Sequence, residues 1–383
     1  MLAGKEGRAT QKCMEILVAL GEIYGADRLI PVSSAQVSGV SYKNLGDAGI
    51  EFLDELAVDG RARVKSTLNP AGMDLSSWKE QRINEEFARK QLEVIGAYTR
   101  LGLEPACTCT PYLAGNLPAF SEHIAWSESS AVVYANSVLG ARTNREGGPS
   151  ALAASLTGRT PYYGYHLDEG RTPTLRVEVS ALLESPEDFS AMGYYVGKVA
   201  RNGVPYFRGV ESAGLEDLKT LSAALASSGG VAMFHMEGIT PEANMAPKQS
   251  MDSLSFDSGD LRNARETLSD SGQPDFIAVG CPHCSLTELA TIAQRLKGRT
   301  LKRELWVCCS RAVKELADKT GYSRTIEASG ARLACDTCMV VAPIESMGFT
   351  VVATNSAKAC HYLRNNGLRV RFLPLEKCLE EAM

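Results

Sequence analysis

From residue 172 onward, short apolar runs alternate with amphipathic stretches. The runs at 175–180, 204–207, 231–235, 276–279, 304–308, 331–334, 350–353 and 368–373 have the length of buried strands. Helical periodicity begins between them near Pro186, Leu215, Leu286, Arg311, Ala357 and Leu375. Strands separated by helices of about three turns predict parallel βαβ units and an α/β fold. The N-terminal part is less regular. Amphipathic helices are predicted over 11–24 and 76–100, with a Gly/Ser-rich loop at 32–42. A Ser/Asp/Gly-rich stretch at 248–272 predicts a surface excursion or an interdomain connection. A boundary placed there assigns 1–272 to N-terminal and central α/β lobes and 273–383, opening at Phe276, to a C-terminal α/β lobe.

Composition narrows the function classes. At 383 residues the chain can bury a substantial core, and 44% hydrophobic with 22% charged residues is ordinary for a globular protein. A net charge of −5 gives no electrostatic footprint for nucleic acid or an anionic membrane. The apolar runs are too short to span a bilayer and the first residues are not a secretory signal, so a cytoplasmic protein is expected. In a reducing compartment the 11 cysteines read as metal ligands, reactive thiols or core residues rather than disulfides.

Three thiol-bearing loops follow apolar runs: Cys107-Thr-Cys109-Thr-Pro-Tyr, Gly280-Cys281-Pro-His283-Cys284-Ser and Cys335-Asp-Thr-Cys338. Open α/β sheets collect ligands at such positions. Three thiol loops from distant parts of one chain suggest a cluster held by cysteines and open on one side. Ser285-Leu-Thr-Glu288 has the spacing of a capping box, so a helix is predicted directly after Cys284. Its N-terminus is expected to lower the pKa of Cys281 and Cys284. The competing arrangement is a four-thiolate zinc site from Cys281, Cys284, Cys335 and Cys338, which leaves Cys107 and Cys109 without a role. Cys13, Cys308, Cys309, Cys360 and Cys378 read as core, and the histidines at 123, 166, 235 and 361 show no ligand spacing.

Between Ala125 and Pro149 a helix-like run leads into a loop with Arg142, Asn144, Arg145, Gly147 and Gly148. Two guanidiniums beside glycine amides predict an anion site for carboxylate or phosphate, with Glu128 and Thr143 as further hydrogen-bonding groups. Ser38-Gly39-Val40-Ser41-Tyr42, Thr67-Leu-Asn69-Pro70 and Thr354-Asn-Ser356-Ala-Lys358 are polar loops able to complete the pocket. The last follows a predicted strand, so Ser356 should cap a helix and Lys358 should meet an anion at its start.

Cys109-Thr-Pro-Tyr-Leu, Ala125-Trp-Ser-Glu-Ser-Ser-Ala, Asn136-Ser-Val-Leu-Gly-Ala-Arg-Thr-Asn-Arg-Glu-Gly-Gly, Gly280-Cys-Pro-His-Cys-Ser and Asp336-Thr-Cys-Met together resemble the aconitase X family. The resemblance runs from residue 15 to the C-terminus. More closely, the chain looks like the separate large subunits of archaeal-type phosphomevalonate dehydratases. Gln36 departs from the histidine of many relatives. The resemblance implies an aconitase-like, multi-lobed fold lacking the small swivel domain. It implies a hydro-lyase acting on (R)-5-phosphomevalonate, a small subunit as partner, and an iron–sulfur cluster, [4Fe-4S] when intact. Carried over by residue, the cluster ligands are Cys109, Cys281 and Cys338, with Cys284, Cys107 and Cys335 as substitutes. Substrate contacts are Gly39, Val40, Ser41, Asn69, Pro70, Glu128, Ser129, Arg142, Asn144, Arg145, Ser356 and Lys358. The proton-abstracting base is expected on the small subunit. Two alternatives remain: dehydration of cis-3-hydroxy-L-proline, the reaction of fused relatives, and a non-catalytic zinc-stapled binding subunit.

Overall fold

The computed structural model describes residues 1–245 and 251–383. Its C-terminal lobe is a five-stranded, wholly parallel sheet ordered Arg332–Cys335, Glu304–Cys309, Phe276–Cys284, Val351–Thr354, Arg369–Phe372. The chain starts in the middle, winds to one edge, then returns to fill the other side. Its direction reverses between Phe276–Cys284 and Val351–Thr354, and such a switch opens a crevice at the carboxyl ends of the strands.

Both faces of this sheet are buried, as side chains that alternate along each strand require. Phe276, Ala278, Trp306, Cys308 and Ala334 enter a core shared with the middle of the chain. Ile277, Val279, Leu305, Val307, Cys309 and Leu333 pack under the helices Leu286–Leu296, Arg311–Thr320, Tyr322–Ala328 and Leu375–Ala382. Gly280, at φ +92, ends the regular ladder of the central strand. A Cβ there would lie 2.2 Å from the Cys308 carbonyl, so only glycine lets the chain turn into the Cys281 loop.

The middle of the chain forms a second parallel sheet, ordered His235–Met236, Pro205–Arg208, Leu175–Val179, Asp252–Phe256. The helices Pro186–Ala200 and Leu215–Gly229 pack side by side across it. The N-terminal lobe has a three-stranded parallel sheet, Lys65–Leu68, Ser34–Val37, Ala125–Trp126, and an antiparallel pair, Leu29–Pro31 with Arg159–Pro161.

Three sequence expectations need correction. The run 231–235 is strand only at His235–Met236. Its backbone is satisfied by side chains instead: Asn136 Nδ2 donates to the Ala232 carbonyl, and the Phe234 amide donates to Ser137 Oγ. The helix expected from 76 begins at Glu85. Asp74 Oδ1 accepts the Ser76 and Ser77 amides and so holds a turn, while Asn84 caps the helix. The stretch 248–272 lies partly outside the described residues. Its described part is an edge strand, Asp252–Phe256, and a helix, Ser258–Thr267, so it is an integral part of the second sheet.

Candidate active site

One cavity of about 620 Å³ lies where the carboxyl ends of the N-terminal and C-terminal parallel sheets face each other, within the ~300–1,000 Å³ span of small-molecule sites. From the N-terminal sheet come Ser38–Ser41, after Ser34–Val37; Asn69 and Pro70, after Lys65–Leu68; and Ser127–Ser129, after Ala125–Trp126. The C-terminal sheet supplies Cys281, Cys338, which follows Arg332–Cys335, and Lys358, which follows Val351–Thr354. Cys109 completes the set of thiols, and Arg145 also lines the cavity.

Each cysteine motif divides its thiols between cavity and core. Cys107, at φ 41, turns into the N-terminal core while Cys109 lines the cavity. Cys281 and Cys338 line the same cavity. Cys284 and Cys335 belong to the core on the other face of the sheet, where Cys335 Sγ lies 3.9 Å from Cys309 Sγ. The four thiols of the competing zinc arrangement are therefore divided two and two between the faces of one sheet and do not close around one ion. Among the described residues, no three His, Cys, Asp or Glu side chains converge tightly enough for a single metal ion.

The expected lowering of the cysteine pKa values does not occur. The Cys338 thiol, burial and the neighbouring thiol's charge push Cys281 well up, against the pull of Lys358 and the Ser356 hydroxyl. Burial, with the Glu128 carboxylate, pushes Cys109 up to about 12. Burial likewise raises Cys284. Desolvation outweighs the helix terminus here because the thiols are enclosed.

Lys358 is buried in the first turn of the helix Ala357–Asn365, where the helix dipole alone disfavours a cation. Burial also works against its charge, but the Glu128 carboxylate and the Cys281 and Cys109 thiols outweigh this and hold its pKa above the ordinary value. Burial would raise Glu128; the Lys358 ammonium, Ser130 Oγ (2.7 Å) and the Ala131 amide (2.6 Å) hold it below the usual carboxylate range. Glu128 thus caps the helix Ser129–Tyr134 and stays ionised. Ser356 Oγ caps its helix by accepting the Ala359 amide at 3.1 Å.

Buried polar bonds fix the loops of the site, some within the N-terminal lobe and some across to the C-terminal one. Gln36, fully buried, donates to the Thr108 carbonyl at 3.2 Å and accepts the Glu128 amide at 2.9 Å. Arg311 joins Asp74 and Asp336, the Cys335 amide donates to Asp74 Oδ2 at 2.9 Å, and the Ala71 amide donates to the Asp336 carbonyl at 2.7 Å. These bonds fix the Asn69 loop against the Cys338 loop.

Of the residues expected in the pocket, Gly39, Val40, Ser41, Asn69, Pro70, Glu128, Ser129, Arg145 and Lys358 line it together with the three thiols. Ser356 lies just behind, beside Cys281. Arg142 and Asn144 do not join them. Arg142 donates to the His166 carbonyl (3.0 Å) and pairs with Asp168 at a separate cavity. Asn144 is spent on the Tyr163 carbonyl and the Tyr165 amide. Tyr362 and Asn366 line the cavity and were not anticipated. They follow Lys358 at i+4 and i+8, a spacing readable as one helix face.

Parallel sheets from two lobes, meeting at a thiol-lined cleft, place this molecule in the aconitase-like class. Family models for the first, second and third domains of aconitase X match residues 1–169, 173–266 and 274–383, and the chain belongs to the aconitase X family. The phosphomevalonate dehydratase large subunit of Methanothermobacter thermautotrophicus is 54% identical over 95% of this chain and 92% of its own length. That of Thermococcus kodakarensis is 49% identical over 100% and 97%. The cis-3-hydroxy-L-proline dehydratase of Pseudomonas aeruginosa is 36% identical, and the match covers only 68% of that longer protein. The crystal structure of Thermococcus kodakaraensis aconitase X in its holo-form superposes with a TM-score of 0.94 at 49% identity, over 100% of this chain and 97% of that one. Among the described residues no helix is long and apolar enough to cross a membrane.

Proposed function

We infer that this chain is the large subunit of a hydro-lyase that removes water from (R)-5-phosphomevalonate, giving trans-anhydromevalonate 5-phosphate in a mevalonate route to isoprenoids. The observation that carries this reading is identity of 47–54% with four archaeal phosphomevalonate dehydratase large subunits, each matched over nearly its whole length. The hydroxyproline dehydratases are more distant.

The donor set fits an iron–sulfur cluster better than one ion. Cys109, Cys281 and Cys338 face one cavity with no fourth thiol among its lining residues, and a buried ammonium stands beside two of them. Three thiolates leave one iron of a [4Fe-4S] cluster open. When bound, the cluster would supply a Lewis acid for the tertiary hydroxyl, which is otherwise a poor leaving group.

The chain's own residues bind and orient. Gly39, Val40 and Ser41 line the cavity just before the helix Tyr42–Ala57, which is kinked at Gly46, and their backbone amides would serve as donors to an anionic group of the substrate. Arg145 adds a cation on the same cavity, and Asn69 and Ser129 add neutral hydrogen-bonding groups. Lys358 holds Glu128 ionised in a fixed rotamer, so that one carboxylate of known charge faces the substrate. The reaction removes a proton from the carbon beside the carboxylate and the hydroxyl from the next carbon, so water leaves and a double bond forms. We assign the proton-abstracting base to a small subunit closing over the cleft, a partner in keeping with the relatives' designation as large subunits. The assignment of 1–272 and 273–383 to separate lobes and a cytoplasmic location belong to the same reading.

The test is anaerobic co-expression with the candidate small subunit, reconstitution with iron and sulfide, and assay of (R)-5-phosphomevalonate for loss of water. Cluster-dependent turnover is expected. An intact cluster with turnover only of cis-3-hydroxy-L-proline would overturn the substrate, and retention of zinc without iron would overturn the reaction class.

A further inference from the structure

His283 lies where the three cysteine loops meet, and none of its surface reaches solvent. Its backbone N–H donates to Cys109 Sγ at 3.2 Å. Its Nε2 lies 2.9 Å from the carbonyl of Thr337, the residue before Cys338. A carbonyl only accepts, so Nε2 carries the proton and, in a neutral ring, Nδ1 is an acceptor. Nδ1 lies 2.9 Å from Thr108 Oγ1, on the residue before Cys109. Thr108 Oγ1 itself accepts the Thr110 amide at 3.1 Å. Finally, the His283 carbonyl accepts from Lys219 Nζ at 3.2 Å, and Lys219 also pairs with Glu288 of the capping box that starts the next helix.

A core histidine is commonly satisfied by whatever polar atoms lie nearby. Here the partners are not arbitrary. Both ring nitrogens reach residues adjacent to two cavity thiols, the amide reaches one of those sulfurs, and His283 is itself two residues from the third, Cys281. Every polar atom of the residue is engaged, and its two ring partners lie 175 and 54 residues away along the chain, on either side. Among the described residues, no other side chain bonds to both the Cys109 loop and the Cys338 loop.

We propose that His283 is a positioning residue for the iron–sulfur cluster: its imidazole and amide set the mutual distances of Cys109, Cys281 and Cys338. The proposal rests on the reading that these three thiols hold the cluster. His283 takes no part in proton transfer. Its work is to hold the ligand triangle open at the right size and to place one N–H on a ligand sulfur, a contact that tunes both ligand orientation and cluster potential.

The experiment uses the full chain co-expressed with its small subunit and reconstituted anaerobically. Iron and acid-labile sulfide per chain, the rate at which a chelator strips iron, the electron paramagnetic resonance spectrum and the unfolding temperature of the cluster-free protein are compared. His283→Leu removes both ring bonds, whereas His283→Gln keeps a donor in reach of the Thr337 carbonyl. Leu289→Ala cuts a fully buried side chain in the same lobe without touching the cavity. His283→Leu should lose iron about 10- to 100-fold faster than wild type, with a changed spectrum. His283→Gln should recover much of the retention, and Leu289→Ala should lower the unfolding temperature without hastening iron loss. Iron loss that tracks unfolding temperature across all three variants, or an unchanged His283→Leu, would overturn the proposal while leaving the cluster reading intact. A wild-type complex that takes up no cluster would overturn both.

Discussion

Lys358 and Glu128, 230 residues apart, form an ion pair inside the cavity wall, and Lys358 Nζ also donates to Ser130 Oγ at 3.1 Å. Neither side chain is more than 8% exposed. Water cannot stand in for either partner, so the pair joins the N-terminal and C-terminal lobes as one electrostatic unit. Removing one member leaves an uncompensated buried charge.

Lys358→Met should therefore destabilise the chain by about 3–5 kcal/mol and lower kcat/KM by roughly 100- to 1,000-fold. Glu128→Gln/Lys358→Met, which removes both charges, should recover most of the stability and none of the turnover. Denaturant unfolding and steady-state kinetics on the four members of this cycle decide it. A double variant no more stable than Lys358→Met would show that the two charges do not compensate each other.

The paired cysteines give a sharper test, because each motif sends one thiol to the cavity and one to the core. Cys109→Ser, Cys281→Ser and Cys338→Ser should fail to retain a full cluster and show no measurable turnover. Cys284→Ser and Cys335→Ser, both in the core beneath the sheet, should keep the cluster's iron content while losing stability. Iron analysis beside an unfolding curve separates the two groups. Iron loss in Cys335→Ser at unchanged fold would move the ligand assignment.

The C-terminal lobe was legible because its strands are fully buried runs punctuated by helices, and burial on both faces writes itself into sequence as continuous apolar residues. The first lobe's sheet was not. Its strands Ser34–Val37 and Ala125–Trp126 are four and two residues long, and the first carries Ser34 and Gln36, buried polar groups satisfied by the Trp126 indole on the neighbouring strand and by the Thr108 carbonyl. Which member of each cysteine pair faces the cavity was equally invisible, since it depends on Cys107 adopting a positive φ and on Cys284 and Cys335 falling in register with Cys309. Arg142 and Asn144 looked like partners of Arg145 because they adjoin it. Their hydrogen bonds to segment 163–168 become apparent only in three dimensions.

The two arginines consequently part company. Arg145 lines the cavity and its guanidinium donates to the Gly230 carbonyl at 2.6 Å, leaving other N–H groups for a ligand. Arg145→Ala should raise KM roughly 10-fold or more, as loss of a charge-assisted hydrogen bond worth about 1.5–3 kcal/mol demands. Arg142 pairs with Asp168, which is 84% exposed, and such a pair contributes only about 0–1 kcal/mol. Arg142→Ala should leave KM unchanged. Equal effects of the two substitutions on KM would return Arg142 to the substrate site.

Acid should weaken the fold through a buried histidine far from the thiols. His166 is fully buried, its Nδ1 lies 3.0 Å from Nδ1 of His123, and Arg142 and Arg171 face it. Burial, then the charges of His123, Arg171 and Arg142, push its pKa down to about 3. The group is depressed on folding, so its contribution is present above the unfolded value near 6.5 and is lost as pH falls below it. At pH 5 the unfolded chain holds the proton and the folded chain does not, which removes about 2 kcal/mol relative to pH 7. Denaturant midpoints of the cluster-free protein between pH 7.5 and 5 should fall accordingly. His166→Gln, which cannot protonate, should flatten that slope whatever it does to stability at pH 7.5. An unchanged slope in the variant would assign the acid sensitivity to the remaining histidines and to the carboxylates held ionised by their partners, Glu128 among them.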